Sequence, residues 1–358
     1  MERGDGRIAV TPGTPFDPAH EVRSFRSARW LPGAHLQTLW SRVLRRGPRV
    51  EFRRETWETP DDDLLELDWI DGPEGSPILL GLHGLEGCST SLYMQGLMHR
   101  ARSRGWRGLA LNFRSCASPP GRPRGEWAMN RRERLYHSGE TSDLEWVVGR
   151  LIEGEPDLDL RLIGVSLGGN VLLKWLGERA EGVPPQVRAA AAISAPFDLA
   201  ACARHLESGL GPLYMRFFLA SLKRKSLDFA SRYPGRIDPA AVRAARTFRE
   251  IDDAATGPIH GFADADDYYA RSSSLPYLSR IRVPTLLINA RDDPFEPREI
   301  LALAEERASD FVRCAFTDRG GHVGWVTGPP WAARSWGEDL AVEWLARAGA
   351  LVQPTSEL

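Results

Sequence analysis

One serine, one acidic turn and one late histidine are the residues of this chain able to share a reaction. Ser166 sits in Gly164-Val165-Ser166-Leu167-Gly168, a G-x-S-x-G run. Ahead of it, Leu158-Asp159-Leu160-Arg161-Leu162-Ile163 carries the alternating pattern of a strand. Behind it, Gly169 to Leu176 reads as a helix. A serine on such a sharp strand-to-helix turn has its hydroxyl pushed out above the sheet edge. Glycine at 164 and 168 lets strand and helix approach closely, and the helix N-terminus aims its N–H groups at the serine. The plain alternative is an ordinary Gly-Ser loop, and the flanking strand and helix argue against it.

A serine hydroxyl needs a base, and the base needs an orienting acid. On this kind of turn both follow the serine in the chain, acid first. Of eight histidines, only His205, His260 and His322 lie after Ser166. His205 falls in a helical stretch, and His260 in a loop that precedes any suitable acid. His322 lies in Gly320-Gly321-His322-Val323-Gly324, after the strand pattern Phe311–Phe316, and a glycine-flanked loop there can swing an imidazole over the sheet edge. Val283–Asn289 is a buried-strand pattern that runs into Asp292-Asp293-Pro294-Phe295-Glu296-Pro297. Either aspartate could accept the second imidazole N–H. An oxyanion needs two N–H donors: Leu167, next to the serine, and Leu85, in the His83-Gly84-Leu85-Glu86-Gly87 loop after the strand at 77–82. His83 precedes the serine, so a local hydrogen bond that holds this loop is expected of it. Glu86 is expected to point into solvent.

The elements that must position these groups alternate. A hairpin spans Val50–Asp71 and turns at Pro60-Asp61-Asp62-Asp63, where a Pro-Asp run forms a turn better than a metal site. Strand 77–82, helix 91–104, strand 106–112, helix 139–153, strand 158–165, helix 167–180 and strand 188–194 follow. Such alternation gives a mostly parallel sheet with helices on both faces. From about 196 to 280 no strand pattern appears. Leu213–Leu219 and Val242–Phe248 read as helical, the first with Tyr214, Phe217 and Phe218 on it. Asp264-Ala265-Asp266-Asp267 lacks the Gly and distal Glu of a calcium loop and reads as a helix cap. Strands 283–289 and 311–316 and helix 337–348 close the pattern.

These segments together resemble the α/β-hydrolase superfamily, and within it the YheT-like hydrolases. The narrower likeness rests on His35-Leu36-Gln37-Thr38, His83–Gly87, Asn112-Phe113-Arg114-Ser115-Cys116, Tyr136–Thr141, Gly164–Asn170, Asp292–Phe295 and Gly321–Gly324. It runs from about residue 30 to about residue 348. Asp-Pro-Phe-Glu-Pro resembles the acid turn of many α/β-hydrolases and puts Asp293 in the acid position, with Asp292 as a turn residue. Two residues depart from the family pattern: Ser115 stands where relatives often have glycine, and Glu86 replaces a usually neutral residue. The resemblance implies an α/β-hydrolase fold in which the helical stretch is a cap. The chain then divides into a flexible arm (1–28), core (29–195), cap insertion (196–280), core (281–350) and tail (351–358). It also implies an ester or related acyl hydrolase. Ser166 would attack, His322 would carry the proton, Asp293 would orient His322, and Leu85 and Leu167 would hold the oxyanion. No cofactor or metal is expected, and the substrate is a small-molecule or lipid-like ester. An acyltransferase with the same groups and a non-enzymatic binding protein on the same scaffold are the rival readings.

Composition narrows the partners. The 358 residues carry a net charge of −2, which leaves no electrostatic footprint for nucleic acid. The basic clusters Arg131-Arg132-Glu133-Arg134 and Lys223-Arg224-Lys225 read as solvated faces. Cys88, Cys116, Cys202 and Cys314 are far apart and read as free thiols in a reducing compartment. No apolar run reaches the roughly 18–20 residues of a membrane span, and no signal pattern opens the chain. A cytoplasmic location is expected. Oligomeric state is not legible.

Overall fold

Successive residues of the central strands point to opposite faces, and in this chain both sets are apolar. Ile78, Leu80 and Leu82 join one hydrophobic cluster, while Leu79 joins another on the opposite face. A strand buried on both sides is the mark of a sheet covered by helices on both faces. The computed structural model describes residues 17–45, 47–118 and 127–351 and contains that sheet. Its strands are β1 (Arg53–Glu58), β2 (Leu64–Ile70), β3 (Ile78–Leu82), β4 (Arg107–Asn112), β5 (Leu160–Val165), β6 (Val187–Ile193), β7 (Thr285–Ala290) and β8 (Val312–Thr317). They lie in the order β1-β2-β4-β3-β5-β6-β7-β8. β1 and β2 are antiparallel to their neighbours, and every pairing from β4 to β8 is parallel. The expected mostly parallel architecture is therefore present.

The helices in chain order are α1 (Pro18–Ser24), α2 (Ala34–Leu39), α3 (Leu92–Ser103), α4 (Ser142–Gly154), α5 (Leu167–Arg179), α6 (Leu199–His205), α7 (Gly211–Arg232), α8 (Pro239–Ala244), α9 (Phe248–Ile251), α10 (Gly257–His260), α11 (Ala265–Ser272), α12 (Arg298–Arg307) and α13 (Trp336–Leu351). α4, α5 and α12 cover one face of the sheet through Leu144, Val148, Val171, Leu172 and Leu301. α3 and α13 cover the other through Met94, Leu97, Leu340 and Leu345. All six helices between β6 and β7 fall where no strand pattern was legible. α7 to α10 pack in a third cluster built on Met215, Leu219, Phe229, Val242 and Ile251, and α6 and α11 pack together in a fourth through Leu199, Ala203, Ala265 and Tyr268.

Two local differences from the sequence reading have physical causes, and two acidic turns keep the role read for them. Residues 1–16 of the arm expected over 1–28 lie outside the described residues, as does the tail from 352. The rest of the arm is held in place: α1 follows Asp17, Val22 packs on the sheet-face cluster, and the Phe25 ring meets Trp336 at 5.0 Å. The stretch 242–248 is not one helix. It breaks after α8, and Thr247 starts α9 with a reciprocal capping box to Glu250. The turn aspartates are structural, because Asp61 and Asp63, with Asp143, surround the buried Arg114 guanidinium. Asp264 caps α11 by accepting from the Asp267 N–H.

Candidate active site

β5 ends at Val165 and α5 begins at Leu167, with only Ser166 between them, so the chain must reverse at Ser166. The residue takes φ 53° and ψ −121°, a conformation that L residues seldom adopt and that persists only where the surroundings enforce it. Here the Ser166 N–H is fixed to the Ile193 carbonyl at 2.8 Å, and the Ser166 carbonyl accepts from the Asn170 N–H at 3.1 Å. A Cβ at Gly164 would strike the Gly168 carbonyl, and one at Gly168 would lie 2.5 Å from the Leu82 carbonyl oxygen. Both glycines are thus required by close approach. Asn170 locks the start of α5 to its surroundings. Its amide donates to the carbonyls of Ser138 (2.8 Å) and Ser272 (2.7 Å), and its side-chain oxygen accepts from the Ser274 N–H (2.9 Å).

Three side chains named from sequence meet above this turn. His322 Nε2 lies 2.9 Å from Ser166 Oγ, and His322 Nδ1 lies 2.8 Å from Asp293 Oδ2. A carboxylate accepts only, so Nδ1 carries the proton and Nε2 is left to accept from the serine hydroxyl. The Asp293 side chain is fully buried, and its other oxygen accepts from the Phe295 N–H at 2.8 Å. The Phe295 ring stacks on the imidazole with centroids 4.2 Å apart. Asp292 points elsewhere and accepts from the Gly321 N–H at 2.9 Å. It therefore pins the histidine loop as well as forming the turn. His205 ends α6 and His260 ends α10, away from this chain of hydrogen bonds.

The histidine loop is held from the far N-terminal side, which the sequence reading did not foresee. Thr38 Oγ1 accepts from the His322 N–H at 2.9 Å, Gln37 Oε1 from the Val326 N–H at 2.7 Å, and Ser194 Oγ from the Val323 N–H at 3.0 Å. Val323 and Trp325 both have positive φ, so the loop is strained and depends on these anchors. The His35-Leu36-Gln37-Thr38 segment was legible only as part of a family likeness. Its physical task is to hold His322 in place.

The loop after β3 brings backbone N–H groups to the opposite side of Ser166. Tyr93 Oη accepts from the Gly84 N–H at 2.8 Å, and Tyr136 Oη accepts from the Glu86 N–H at 2.8 Å. Between them, the Leu85 N–H has no partner among the described residues, and neither has the Leu167 N–H at the start of α5. His83 acts locally, as expected: Nε2 accepts from the Phe113 N–H and Nδ1 donates to the Gly84 carbonyl. Burial lowers this imidazole to about 4, so it stays neutral.

The expectation for Glu86 is overturned. Its carboxylate is buried, 2.9 Å from Lys225 Nζ, and accepts from the Tyr136 hydroxyl at 2.7 Å. Burial pushes its pKa up, but Lys225 and Tyr136 outweigh burial and hold it below the usual carboxylate range. Lys225 is accordingly not part of a solvated face. α7 turns it inward because Glu86 supplies the counter-charge. Ser115, the other departure, sits at φ 61°, which is the physical reason glycine suits that position; its hydroxyl bonds Asn130. Removing one member of a buried ion pair strands the other charge. Glu86→Gln is therefore expected to cost about 3–5 kcal/mol of unfolding free energy in urea titration, and Glu86→Gln with Lys225→Met to recover most of it. A single-variant loss under about 1 kcal/mol would mean that the pair does not hold this wall together.

Two cavities meet at Ser166. An outer one, of about 300 Å³, is lined by Leu39, Val43, Leu213, Tyr214 and Phe217 and reaches Ser166 and His322. An inner one, of about 140 Å³, runs from the same residues under Leu199, Leu206, Phe248 and Tyr268. Phe218 and Phe295 line both. The aromatic stripe of α7 thus borders the site as well as packing on its neighbours. Among the described residues, no group of three or more His, Cys, Asp or Glu side chains could hold a metal ion. No described helix is long and apolar enough to cross a membrane.

Residues 77–329 match the model of the alpha/beta hydrolase fold family. The chain is 37% identical over 344 residues to the candidate esterase YheT of Escherichia coli K12, across 95% of this chain and 97% of that protein. It is 29% identical to human phospholipase ABHD3 over 84% of this chain and 73% of that one. It is 27% identical to a yeast monoacylglycerol lipase, over 76% of this chain and 59% of that one. Among solved structures, the Pyrococcus furiosus esterase Pf2001 superposes with a TM-score of 0.52 at 18% identity, covering 85% of this chain and 96% of that one, a likeness of fold. With strands, helices and matched residues in agreement, the chain belongs to the α/β-hydrolase fold family, as a YheT-like member.

Proposed function

We propose that this protein is a serine esterase that cleaves carboxylic esters through an acyl-enzyme. Ser166, on a nucleophile elbow, attacks the acyl carbonyl while His322 takes its proton, with Asp293 orienting the imidazole and stabilising its charged form. The N–H groups of Leu85 and Leu167 receive the oxyanion. His322 returns the proton to the leaving alcohol, and water then releases the acid. The observation that carries this reading is the continuous Asp293–His322–Ser166 hydrogen-bond chain, buried at its acid end and open to two cavities at its serine end. Relatives named as esterase, phospholipase and lipase support ester hydrolysis. The helices from 196 to 280 form a cap in this reading, supported by their own apolar clusters and by the cavity walls they supply. The four free thiols accord with a cytoplasmic location.

A fluorophosphonate probe tests the proposal, because only an activated serine reacts. The result expected is one label per chain, located at Ser166, together with turnover of p-nitrophenyl esters. A folded protein that takes no label would overturn the reading. The cavity walls add a prediction about selectivity. Phe217→Ala and Phe218→Ala are expected to shift the preferred acyl length by at least two methylenes, altering the ratio of long- to short-chain kcat/KM by at least about 30-fold, since one methylene in an apolar pocket is worth roughly 1–3 kcal/mol. A profile from acetate to dodecanoate checks this, and equal loss on every ester would count against it.

A further inference from the structure

Arg42 is an exposed cation at the edge of the outer cavity. It lies in the π-helical turn Trp40–Leu44 that follows α2, and among the described residues it has no hydrogen-bond or ion-pair partner. Enclosed arginines nearby have acids, Arg45 pairing with Glu338, Arg54 with Asp68 and Arg114 with three aspartates, whereas Arg42 is exposed and open to a ligand. The Arg42 guanidinium instead lies over the Phe217 ring at 4.7 Å and the Phe218 ring at 4.8 Å. Stacking on aromatic faces holds the guanidinium plane and leaves its N–H edges for a ligand.

Arg42 also stands between two spaces, the second the more polar of the two. On one side is the apolar outer cavity that reaches Ser166. On the other is a cavity of about 480 Å³, lined by Thr90, Ser91, Ser118, Ser221 and by four charged side chains, Arg42, Glu86, Arg224 and Lys225. Among the described lining residues its one carboxylate, Glu86, is engaged by Lys225 and Tyr136. Arg224 lies over the Trp127 ring at 4.1 Å. Among the described lining residues, Lys225 and Glu86 balance each other and the Arg42 charge is left over. A substrate bound at Ser166 with a polar end beyond its hydrocarbon would deliver that end to this space.

We propose that the more polar cavity beside Arg42 is a subsite for an anionic group, carboxylate or phosphate, on the part of the ester that occupies the outer cavity, with Arg42 as the side chain that binds it. This rests on Ser166 being the nucleophile. It narrows the substrate class to amphiphilic esters: an acyl carbonyl, a short apolar stretch along Leu39, Leu213 and Phe217, and an anionic end.

Matched ester pairs test it. One pair sets the p-nitrophenyl half-ester of succinate against p-nitrophenyl valerate, with the charge on the acyl side. The other sets butyryl glycerol phosphate against monobutyrin, with the charge on the alcohol side as phosphate. Wild-type protein is expected to favour the anionic member of at least one pair. Arg42→Gln is expected to lower that preference by about 10- to 100-fold, mainly through KM, as loss of a charge-assisted hydrogen bond would, while Arg42→Lys keeps part of it. Inorganic phosphate, followed by calorimetry, is expected to bind wild type and to bind Arg42→Gln at least about 10-fold more weakly. No charge preference in either pair, or equal loss by Arg42→Gln on charged and neutral members, would overturn the subsite. Failure of the Ser166 reading would look different: no ester is cleaved and no fluorophosphonate label is taken. The phosphate titration still decides the subsite in that case, and no phosphate binding would overturn it.

Discussion

Replacing Ser166 with alanine is expected to lower kcat on p-nitrophenyl esters by on the order of 10⁴–10⁶ while leaving the fold intact. The side chain contributes its hydroxyl to one contact, the 2.9 Å bond to His322 Nε2. Alanine removes that hydroxyl and nothing that holds the turn. The turn is held by backbone: Ser166 N–H on the Ile193 carbonyl, Asn170 N–H on the Ser166 carbonyl, and glycine at 164 and 168. Circular dichroism and the unfolding midpoint should therefore match wild type, apart from the small cost of placing alanine at φ 53°. Residual turnover above a few per cent of wild type in a normally folded variant would remove Ser166 from the mechanism. Turnover would then have to run through another group, such as a water activated by His322.

The serine turn was legible because its logic is local. Strand, glycine, serine, glycine and helix follow each other in the chain, and steric close approach reads directly from residue type. His322 was legible by order, since few histidines follow Ser166. What holds His322 was not. Thr38 and the His322 N–H are 284 residues apart, and no periodicity in either segment announces their meeting. Glu86 and Lys225 were misread for the same reason. Each alone is an unexceptional charged residue in a polar stretch, and only the fold brings them across 139 residues into one buried pair. α12 escaped notice because Arg-Glu-Ile-Leu-Ala-Leu-Ala-Glu-Glu-Arg buries only Ile300, Leu301 and Ala304, a narrow apolar stripe between charged ends. Arg42 carried no signal at all. One arginine among many gains meaning only from the two cavities and the aromatic faces that the fold sets beside it.

The choice between adjacent aspartates gives a second large effect, with a sharp contrast. Asp293→Asn is expected to lower kcat by about 10⁴ at neutral pH, and Asp292→Asn by no more than about 10-fold. Asp293 meets two demands at once. One oxygen takes the His322 Nδ1–H and the other takes the Phe295 N–H. An amide has only one oxygen to offer. If it keeps Phe295, its NH₂ faces Nδ1 and selects the tautomer whose Nε2 carries the proton, which cannot deprotonate Ser166. If it turns to His322, it leaves a buried backbone N–H facing a donor, and the charge that stabilises the imidazolium is gone in either case. Asp292 makes a simpler contact. It accepts from the Gly321 N–H, and an asparagine oxygen can do the same. Its replacement should loosen the histidine loop slightly, which the anchors at Thr38, Gln37 and Ser194 also hold. Steady-state kinetics of both variants on one ester, with matched unfolding curves, separate the cases. An Asp292→Asn defect equal to or larger than that of Asp293→Asn would mean that the working acid is the neighbour, and that the hydrogen bond between Asp293 and His322 is not the one used in turnover.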